Sequence, residues 1–250
     1  MIDLHSHLLP GVDDGSSSVE QSVAVLERFA ADGVNVLACT PHLLASRAGR
    51  APIDDYRERM AALRAAAPPG IELRLGWEIM LDVPGADLSA PHLAIEGSRT
   101  VLVEFARTAV PNRGGEELFR LRMAGLVPML AHPERYWGCS TDQVAEWRRV
   151  GAVIQTDTAI LLDRGTMGRL AHAMLVAGQI DLLASDNHGD RRSLVSAARW
   201  LEELGAREHA ELLTRENPRR VLAGEPVVMV PPLRLSRGPL ARLRDLLTRR

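Results

Sequence analysis

The chain has 250 residues, of which 46% are hydrophobic and 25% are charged, so it is long and apolar enough to bury a sizeable core. A net charge of -2 and an aromatic content of 4% argue against a nucleic-acid partner, which calls for a basic surface and stacking rings. The two cysteines, the absence of a long apolar run and the absence of a leader pattern predict a reduced, cytoplasmic protein without a membrane span.

Short apolar runs alternate with amphipathic stretches along the chain. We predict strands at residues 1–4, 34–39, 71–75, 100–103, 127–131, 152–155 and 180–184. These runs are rich in Val, Ile and Leu without strict alternation, which is typical of parallel strands that are buried on both faces. Helices are predicted at residues 18–31, 56–67, 116–124, 141–150, 168–177 and 194–204. The repeated strand–helix order indicates an α/β barrel or a doubly wound sheet.

Two boundaries can be read from the local sequence. Ser17 and Glu20 have the spacing of a capping box at the start of the first predicted helix, and Gly33 follows its end. Near residue 226 the composition changes, so we predict one domain over 1–226 and a basic amphipathic tail over 227–250. Leucines recur at helical spacing in this tail, which we expect to pack on the protein's own body rather than on a partner or a membrane surface.

Polar side chains follow most of the predicted strands at their carboxyl ends, where parallel α/β folds form their sites. These side chains are His5 and His7 after the first strand, His42 after the second, Glu78 after the third, Glu104 after the fourth, His132 after the fifth, and Asp186 and His188 after the last. The sixth strand ends near Gln155 and Asp157.

Burying so many carboxylates and imidazoles in one place is too costly unless cations are present. In an extended segment residues i and i+2 point the same way, so His5 and His7 can hold one ion, and Asp186 and His188 repeat this spacing. Imidazole and carboxylate donors without a thiolate suit zinc, manganese or iron. Neither cysteine is followed by Arg six positions later, so the pattern of a thiolate phosphatase is absent.

Six segments carry a family resemblance: DLHSHLLPGVDDG, TPH, LGWEI, LVEF, AHPERY and ASDNHG, in this order. Together they resemble the PHP (polymerase and histidinol phosphatase) superfamily, and more narrowly the bacterial manganese-dependent protein-tyrosine phosphatases that act on capsule and exopolysaccharide kinases. The resemblance runs from residue 1 to about residue 224. It implies a distorted (β/α)7 TIM-like barrel, a phosphotyrosine protein substrate such as the tail of a tyrosine autokinase, and a homo-oligomer with the first helix as a contact.

The resemblance also implies three divalent metal ions, with manganese expected and iron or zinc as alternatives. Carried onto matching positions, the first ion would be held by His5, His7, Glu78 and Asp186, the second by Glu78, Glu104 and His132, and the third by Asp14, His42 and His188. Asp14 is chosen over Asp13 by this alignment, since spacing alone does not separate them.

Metal ions would activate the attacking water, and arginine would be the natural additional clamp for the phosphoryl group. Arg135, three residues after His132, is the first candidate, and Arg191 or Arg192 is the second. The chain departs from the family pattern around residues 43–52 and 77–82, which are expected to shape the mouth of the site.

Three other functions compete with a protein-tyrosine phosphatase. A histidinol-phosphate or other small-molecule phosphatase would use the same ligands. Phosphodiester cleavage is disfavoured because the chain lacks a basic groove and stacking aromatics. A non-catalytic, metal-stabilised scaffold is disfavoured because every ligand position is filled.

Overall fold

The structure is a computed structural model that describes residues 1–234. Its strands are β1 Ile2–Asp3, β2 Val36–Cys39, β3 His42–Leu44, β4 Glu72–Leu75, β5 Glu78–Met80, β6 Thr100–Glu104, β7 Val127–Ala131, β8 Val153–Asp157 and β9 Leu182–Ala184. Its α-helices are α1 Val19–Ala31, α2 Ile53–Ala66, α3 Gly114–Met123, α4 Thr141–Arg149, α5 Thr158–Leu161, α6 Thr166–Val176, α7 Leu194–Glu203, α8 Arg207–Glu211 and α9 Asn217–Ala223. Turns of 3-10 helix lie at Ala45–Arg50, Pro91–Leu93 and Pro133–Arg135, and a π-helical turn lies at Leu212–Glu216.

All strand pairs are parallel, and they form two sheets with the orders β1-β2-β4 and β3-β5-β6-β7-β8-β9. The division arises because two of the predicted strands are interrupted and then continue: β3 follows β2 after Thr40 and Pro41, and β5 follows β4 after Gly76 and Trp77. Hydrogen bonds cross this break, since Gly76 N donates to Cys39 O over 2.9 Å. The predicted parallel α/β architecture is therefore confirmed.

Backbone hydrogen bonds also join the segment after β9 to the segment after β1. Asp186 N donates to His5 O over 3.0 Å, and His7 N donates to Asn187 O over 2.7 Å. An isolated parallel bridge pairs Ser6 with Asn187. The strand order and this seam are those of a distorted (β/α)7 barrel whose wall is divided between two sheets.

Apolar packing fills two regions of the barrel. A smaller cluster takes buried side chains from or beside the strands, among them Leu4, Ala38, Leu102, Met129 and Leu182. A larger cluster contains the buried faces of the helices and the strand residues that face them. Because both faces of the strands are covered, their sequences are apolar throughout rather than alternating.

Helix α1 begins one residue later than its predicted cap. Ser18, not Ser17, is the N-cap residue, and its hydroxyl accepts a hydrogen bond from Gln21 N over 3.2 Å. The capping-box prediction on Ser17 and Glu20 is therefore wrong. Ser17 instead hydrogen-bonds the side chain of Gln21 with its own amide and hydroxyl.

The first residues of the predicted tail pack against the barrel. The side chain of Asn217 donates to Val228 O over 2.9 Å and accepts from Val228 N over 2.7 Å, and Val230 is buried. The predicted leucine repeat beyond residue 239 lies outside the described residues, so the boundary at 226 stays a prediction. Within residues 1–234, no helix is both long and apolar enough to cross a membrane.

Candidate metal centre

The nine predicted metal ligands come together at the carboxyl ends of the strands. His5, His7, Glu78, Glu104, His132 and Asp186 are buried, whereas Asp14, His42 and His188 lie at the more open edge of the cluster. Their donor atoms form four overlapping groups with ion-binding spacing: His5–His7–Asp186, His5–Glu78–His132, His42–Glu78–Glu104 and His7–Asp14–His42–His188.

The most regular group joins the first strand to the last. His5 Nε2, His7 Nε2 and Asp186 Oδ1 are mutually 3.3 Å apart. A triangle of this size places a cation at about 2.0–2.2 Å from each atom, which is the usual distance from zinc-like ions to nitrogen and oxygen. The arrangement therefore fits one bound metal ion without rearrangement.

Glu78 lies between this group and its neighbours. Its Oε1 is 3.4 Å from His5 Nε2 and 2.6 Å from His132 Nε2, and its Oε2 is 2.9 Å from His42 Nδ1. Glu104 approaches the same place, with Oε2 at 3.8 Å from His132 Nε2. One carboxylate thus faces imidazoles from three different segments, as a bridging ligand would.

The adjacent residues Asp13 and Asp14 have different partners. Asp14 is exposed, and its Oδ1 lies 3.3 Å from His42 Nε2 and 3.6 Å from His188 Nε2. Asp13 Oδ2 instead accepts a 2.7 Å hydrogen bond from His7 Nδ1 and one of 3.2 Å from His42 N. Asp14 therefore lies with His42 and His188, whereas Asp13 orients His7.

Hydrogen bonds fix the orientation of three of the imidazoles. Nδ1 of His5 faces Gln155 Oε1 at 3.0 Å, Nδ1 of His7 faces Asp13, and Nδ1 of His188 faces the backbone oxygen of Asp186 at 2.9 Å. All three partners are acceptors, so each Nδ1 carries a proton and each Nε2 is free to ligate.

The backbone at the site is unusual at two predicted ligands. His132 has φ of 32° and Asp186 has φ of 47°, a left-handed conformation that residues other than glycine rarely adopt. Such residues cost on the order of 1–3 kcal/mol and persist where the surrounding structure holds them. Gly15 is required for a different reason, because a Cβ atom there would lie 2.1 Å from His7 O.

The charges of the cluster change one another's protonation. Burial alone would lower the pKa of His5, but the carboxylates of Glu78 and Asp186 raise it to about 9. Burial and the charge of Glu78 raise the pKa of Glu104 to about 7, although His42 and Arg107 oppose this shift. Against the effect of burial, His5 and other cations hold the pKa of Asp186 well below its usual value. The ionisation of each group in this cluster thus depends on the charges of its neighbours.

The three predicted arginines differ in their contacts. The guanidinium of Arg135 is mostly buried and contacts the carboxylates of Asp157 and Asp186. Arg192 reaches Asp186 as well, over 3.3 Å. Arg191 is exposed and forms no ion pair within residues 1–234. The geometry thus brings Arg135 and Arg192 to the cluster and leaves Arg191 outside it.

Several residues that support the site are not among the predicted site residues. Gln155 and Asp157 end β8, where the sequence places polar residues at a strand terminus, so that signal was available. Glu134 is buried, accepts from Asp157 N over 2.8 Å, and has its pKa raised to about 8 by burial and by the charge of Asp157. Nothing in the pattern around it distinguishes Glu134 from an exposed acid.

Trp77 does not shape the mouth of the site as expected. Its side chain is fully buried, stacks on Tyr56 with ring centroids 4.8 Å apart, and donates from Nε1 to His92 O over 2.9 Å. The indole therefore fills space between α2 and the strands, behind Glu78. Ser46, in the first expected segment, and Asp82, at the end of the second, are exposed and hydrogen-bond each other over 2.5 Å.

The chain is similar to known proteins along most of its length. The tyrosine-protein phosphatase YwqE of Bacillus subtilis is 26% identical over 264 aligned positions, covering 96% of this chain and 98% of that protein. The tyrosine-protein phosphatase CpsB of Streptococcus pneumoniae is 26% identical over 242 positions, covering 89% and 98%.

A crystal structure from a study of these two proteins, described there as unique metal-dependent tyrosine phosphatases, superposes with a TM-score of 0.78 at 22% identity. It covers 95% of this chain and all of the other. A sequence profile described as capsular polysaccharide synthesis, CpsB/CapC, matches residues 1–223. The chain therefore belongs to the CpsB/CapC family.

Proposed function

We propose that this protein is a metal-dependent phosphatase that removes phosphate from phosphotyrosine in a protein. The observation that carries the proposal is the convergence of nine nitrogen and oxygen donors from all parts of the barrel on one partly open cluster. The family and the names of its relatives support phosphotyrosine as the substrate. The buried Cys39 and the partly buried Cys139 are not part of this cluster, so a thiolate mechanism has no support.

We propose that the donors hold three divalent ions, and that these are manganese, with iron or zinc as alternatives of similar donor preference. Glu104 Oε2, a buried oxygen of the cluster, has no hydrogen-bond partner within residues 1–234, as expected where a cation is to complete the site. The ligand groups would be those implied by the family resemblance, with Glu78 shared. When bound, the ions supply a nucleophilic water at neutral pH and neutralise charge on the phosphoryl group.

The protein's own residues orient the reacting groups. The planar guanidinium of Arg135 can present one edge to phosphoryl oxygens. Its ion pair with Asp157 holds the guanidinium in place. Arg192, on the loop after β9, adds a second positive charge. Its guanidinium is held by Asp190 over 2.8 Å. We assign no catalytic contact to Arg191.

The relatives' names also suggest the biological setting. We propose that the substrate is the tail of a tyrosine autokinase that acts in capsule or exopolysaccharide synthesis, and that the reaction takes place in the cytoplasm. A homo-oligomer with α1 at a contact is part of the same proposal.

The test is phosphate release by metal-stripped protein that is reloaded with Mn²⁺. A phosphotyrosine peptide, histidinol phosphate and a phosphodiester are offered in parallel. We expect preference for the peptide, loss of turnover with chelator, and at least a 100-fold loss in His5→Ala, since His5 belongs to the most regular ligand group. His92→Ala is the matched control, because His92 lies outside the cluster. Preference for histidinol phosphate would contradict the proposed substrate while keeping the metal centre.

A further inference from the structure

Four exposed arginines lie on the segments that follow strands β3, β6 and β8. Arg47 and Arg50 lie between β3 and α2, Arg107 lies between β6 and α3, and Arg164 lies between α5 and α6. Within the described part of the chain, none of these four side chains forms an ion pair. The segments 45–52 and 105–113 contain no acidic residue at all.

Several exposed arginines on the helices are instead neutralised by a neighbour. Arg59 pairs with Asp55 over 3.1 Å, and Arg219 pairs with Glu225 over 3.0 Å. Unpaired arginines on these loops contribute a local positive field, in a chain whose net charge is -2. Such a field attracts anionic ligands and orients them before contact.

An exposed aromatic side chain lies next to one of these arginines. Trp137 is 80% exposed, and its backbone N–H donates to Arg107 O over 3.0 Å. The neighbouring Tyr136 is buried, donates from its hydroxyl to Ala131 O over 2.6 Å, and accepts from Phe105 N over 3.2 Å. These bonds tie the loops after β6 and β7 together, so Trp137 and Arg107 are held beside each other.

The two loops start directly after predicted ligands. Glu104 precedes Arg107 by three residues, and His132 precedes Trp137 by five. A substrate tyrosine that reaches the cluster therefore brings its flanking residues over these loops. Tryptophan and arginine are also the residues that most often dominate binding energy at protein interfaces.

We propose that the rim formed by Arg47, Arg50, Arg107, Arg164 and Trp137 binds an acidic segment of the substrate protein on either side of the phosphotyrosine. The arginines pair with carboxylates or further phosphates of that segment, and Trp137 packs against its side chains. The inference rests on the proposed function and adds the class of protein sequence that the enzyme prefers.

The test compares two phosphotyrosine peptides of equal length, one with Glu and Asp around the tyrosine and one with Ser and Gly, together with phenyl phosphate. In 50 mM salt we expect kcat/KM to be about tenfold higher for the acidic peptide. The difference should come from a lower KM at similar kcat. This preference should shrink in 500 mM salt because exposed charges are then screened.

Variants locate the preference on the rim. Arg47→Gln and Arg107→Gln should each raise KM for the acidic peptide by about two- to fivefold, as expected for one exposed ion pair, and leave phenyl phosphate unchanged. Trp137→Ala should raise KM for both peptides. Arg149→Gln is the control, because Arg149 is exposed on α4, away from these loops.

Equal kcat/KM for the two peptides in 50 mM salt, or an Arg149→Gln effect as large as that of Arg107→Gln, would overturn the rim proposal. Binding of the same peptides with a non-hydrolysable phosphotyrosine analogue, followed by fluorescence anisotropy, separates this inference from the proposed function. Tighter binding of the acidic peptide without turnover of any substrate supports the rim and contradicts phosphatase activity. Equal affinities for the acidic and the neutral peptide would overturn the rim proposal, whether or not the protein turns over any substrate.

Discussion

Gly15→Ala tests whether the position of His7 determines activity. A Cβ atom at residue 15 would lie 2.1 Å from His7 O and 2.4 Å from His7 Cβ. Since ordinary contact begins near 3.4 Å, the two segments must separate by about 1.3 Å. Gly15 does not have a positive φ, so the substitution acts through this clash and not through backbone strain.

His7 has little freedom to move away from the clash. Its carbonyl accepts from Ser16 N over 2.9 Å, its N–H donates to Asn187 O over 2.7 Å, and Asp13 holds its ring. Overpacking of this kind costs about 1–3 kcal/mol of folding free energy. A displacement of about 1 Å at a reacting group costs roughly 100-fold in rate.

The assay is kcat/KM for a phosphotyrosine peptide with saturating Mn²⁺, together with bound metal per chain and unfolding in urea. Gly15→Ala should lose about 100-fold in kcat/KM. Gly49→Ala is the control and should stay within about twofold, because its added Cβ meets nothing within 4 Å and Gly49 has no positive φ. Near-normal kcat/KM in Gly15→Ala, with normal metal content, would refute the reasoning that His7 must stay where the structure has it.

Two further variants test the charges of the structure. Arg135→Met should lower kcat about 100- to 1000-fold, as expected when a hydrogen-bond donor to the developing charge is removed. The control Arg149→Met should leave kcat unchanged. A normal kcat in Arg135→Met would show that Arg135 has no part in the mechanism. His172 stacks on Trp200, and burial lowers the pKa of its imidazole below 6.5, so the unfolded chain takes up this proton at a higher pH than the folded chain. The free energy of unfolding should therefore fall more steeply below pH 6.5 in the wild type than in His172→Gln, as measured by urea unfolding at pH 7.5 and 5.5; parallel curves would contradict the assignment.

Much of the cluster could be predicted because it depends on one geometric rule. Carboxyl ends of parallel strands meet at one end of a barrel, so polar residues that follow apolar runs must lie near one another. The rule located His5, Glu104 and Asp186 without any knowledge of contacts. Their assignment as metal ligands stays a prediction, to be tested by metal content in the variants.

The short strands β3 and β5 could not be predicted. Each has three residues, which is too few to show a period, and each follows a break that contains Pro41 or Gly76. Proline cannot donate to a sheet and so favours a strand end. The sheet continues past each break because β3 and β5 pair with each other, with His42 opposite Glu78. This pairing brings the two predicted ligands together, although they are 36 positions apart in the sequence.

The residues that would determine the substrate lie outside the recognisable pattern. A cage of imidazoles and carboxylates suits any phosphomonoester that reaches it, so the ligands do not separate a protein substrate from a small one. Arg107 and Trp137 belong to loops that the ligand motifs do not include. Their effect depends on a single backbone hydrogen bond and on the absence of a partner for Arg107 within residues 1–234. Under these proposals, different parts of the barrel would carry chemistry and specificity: the strand ends would carry the reaction, and the loops beyond them would select the substrate.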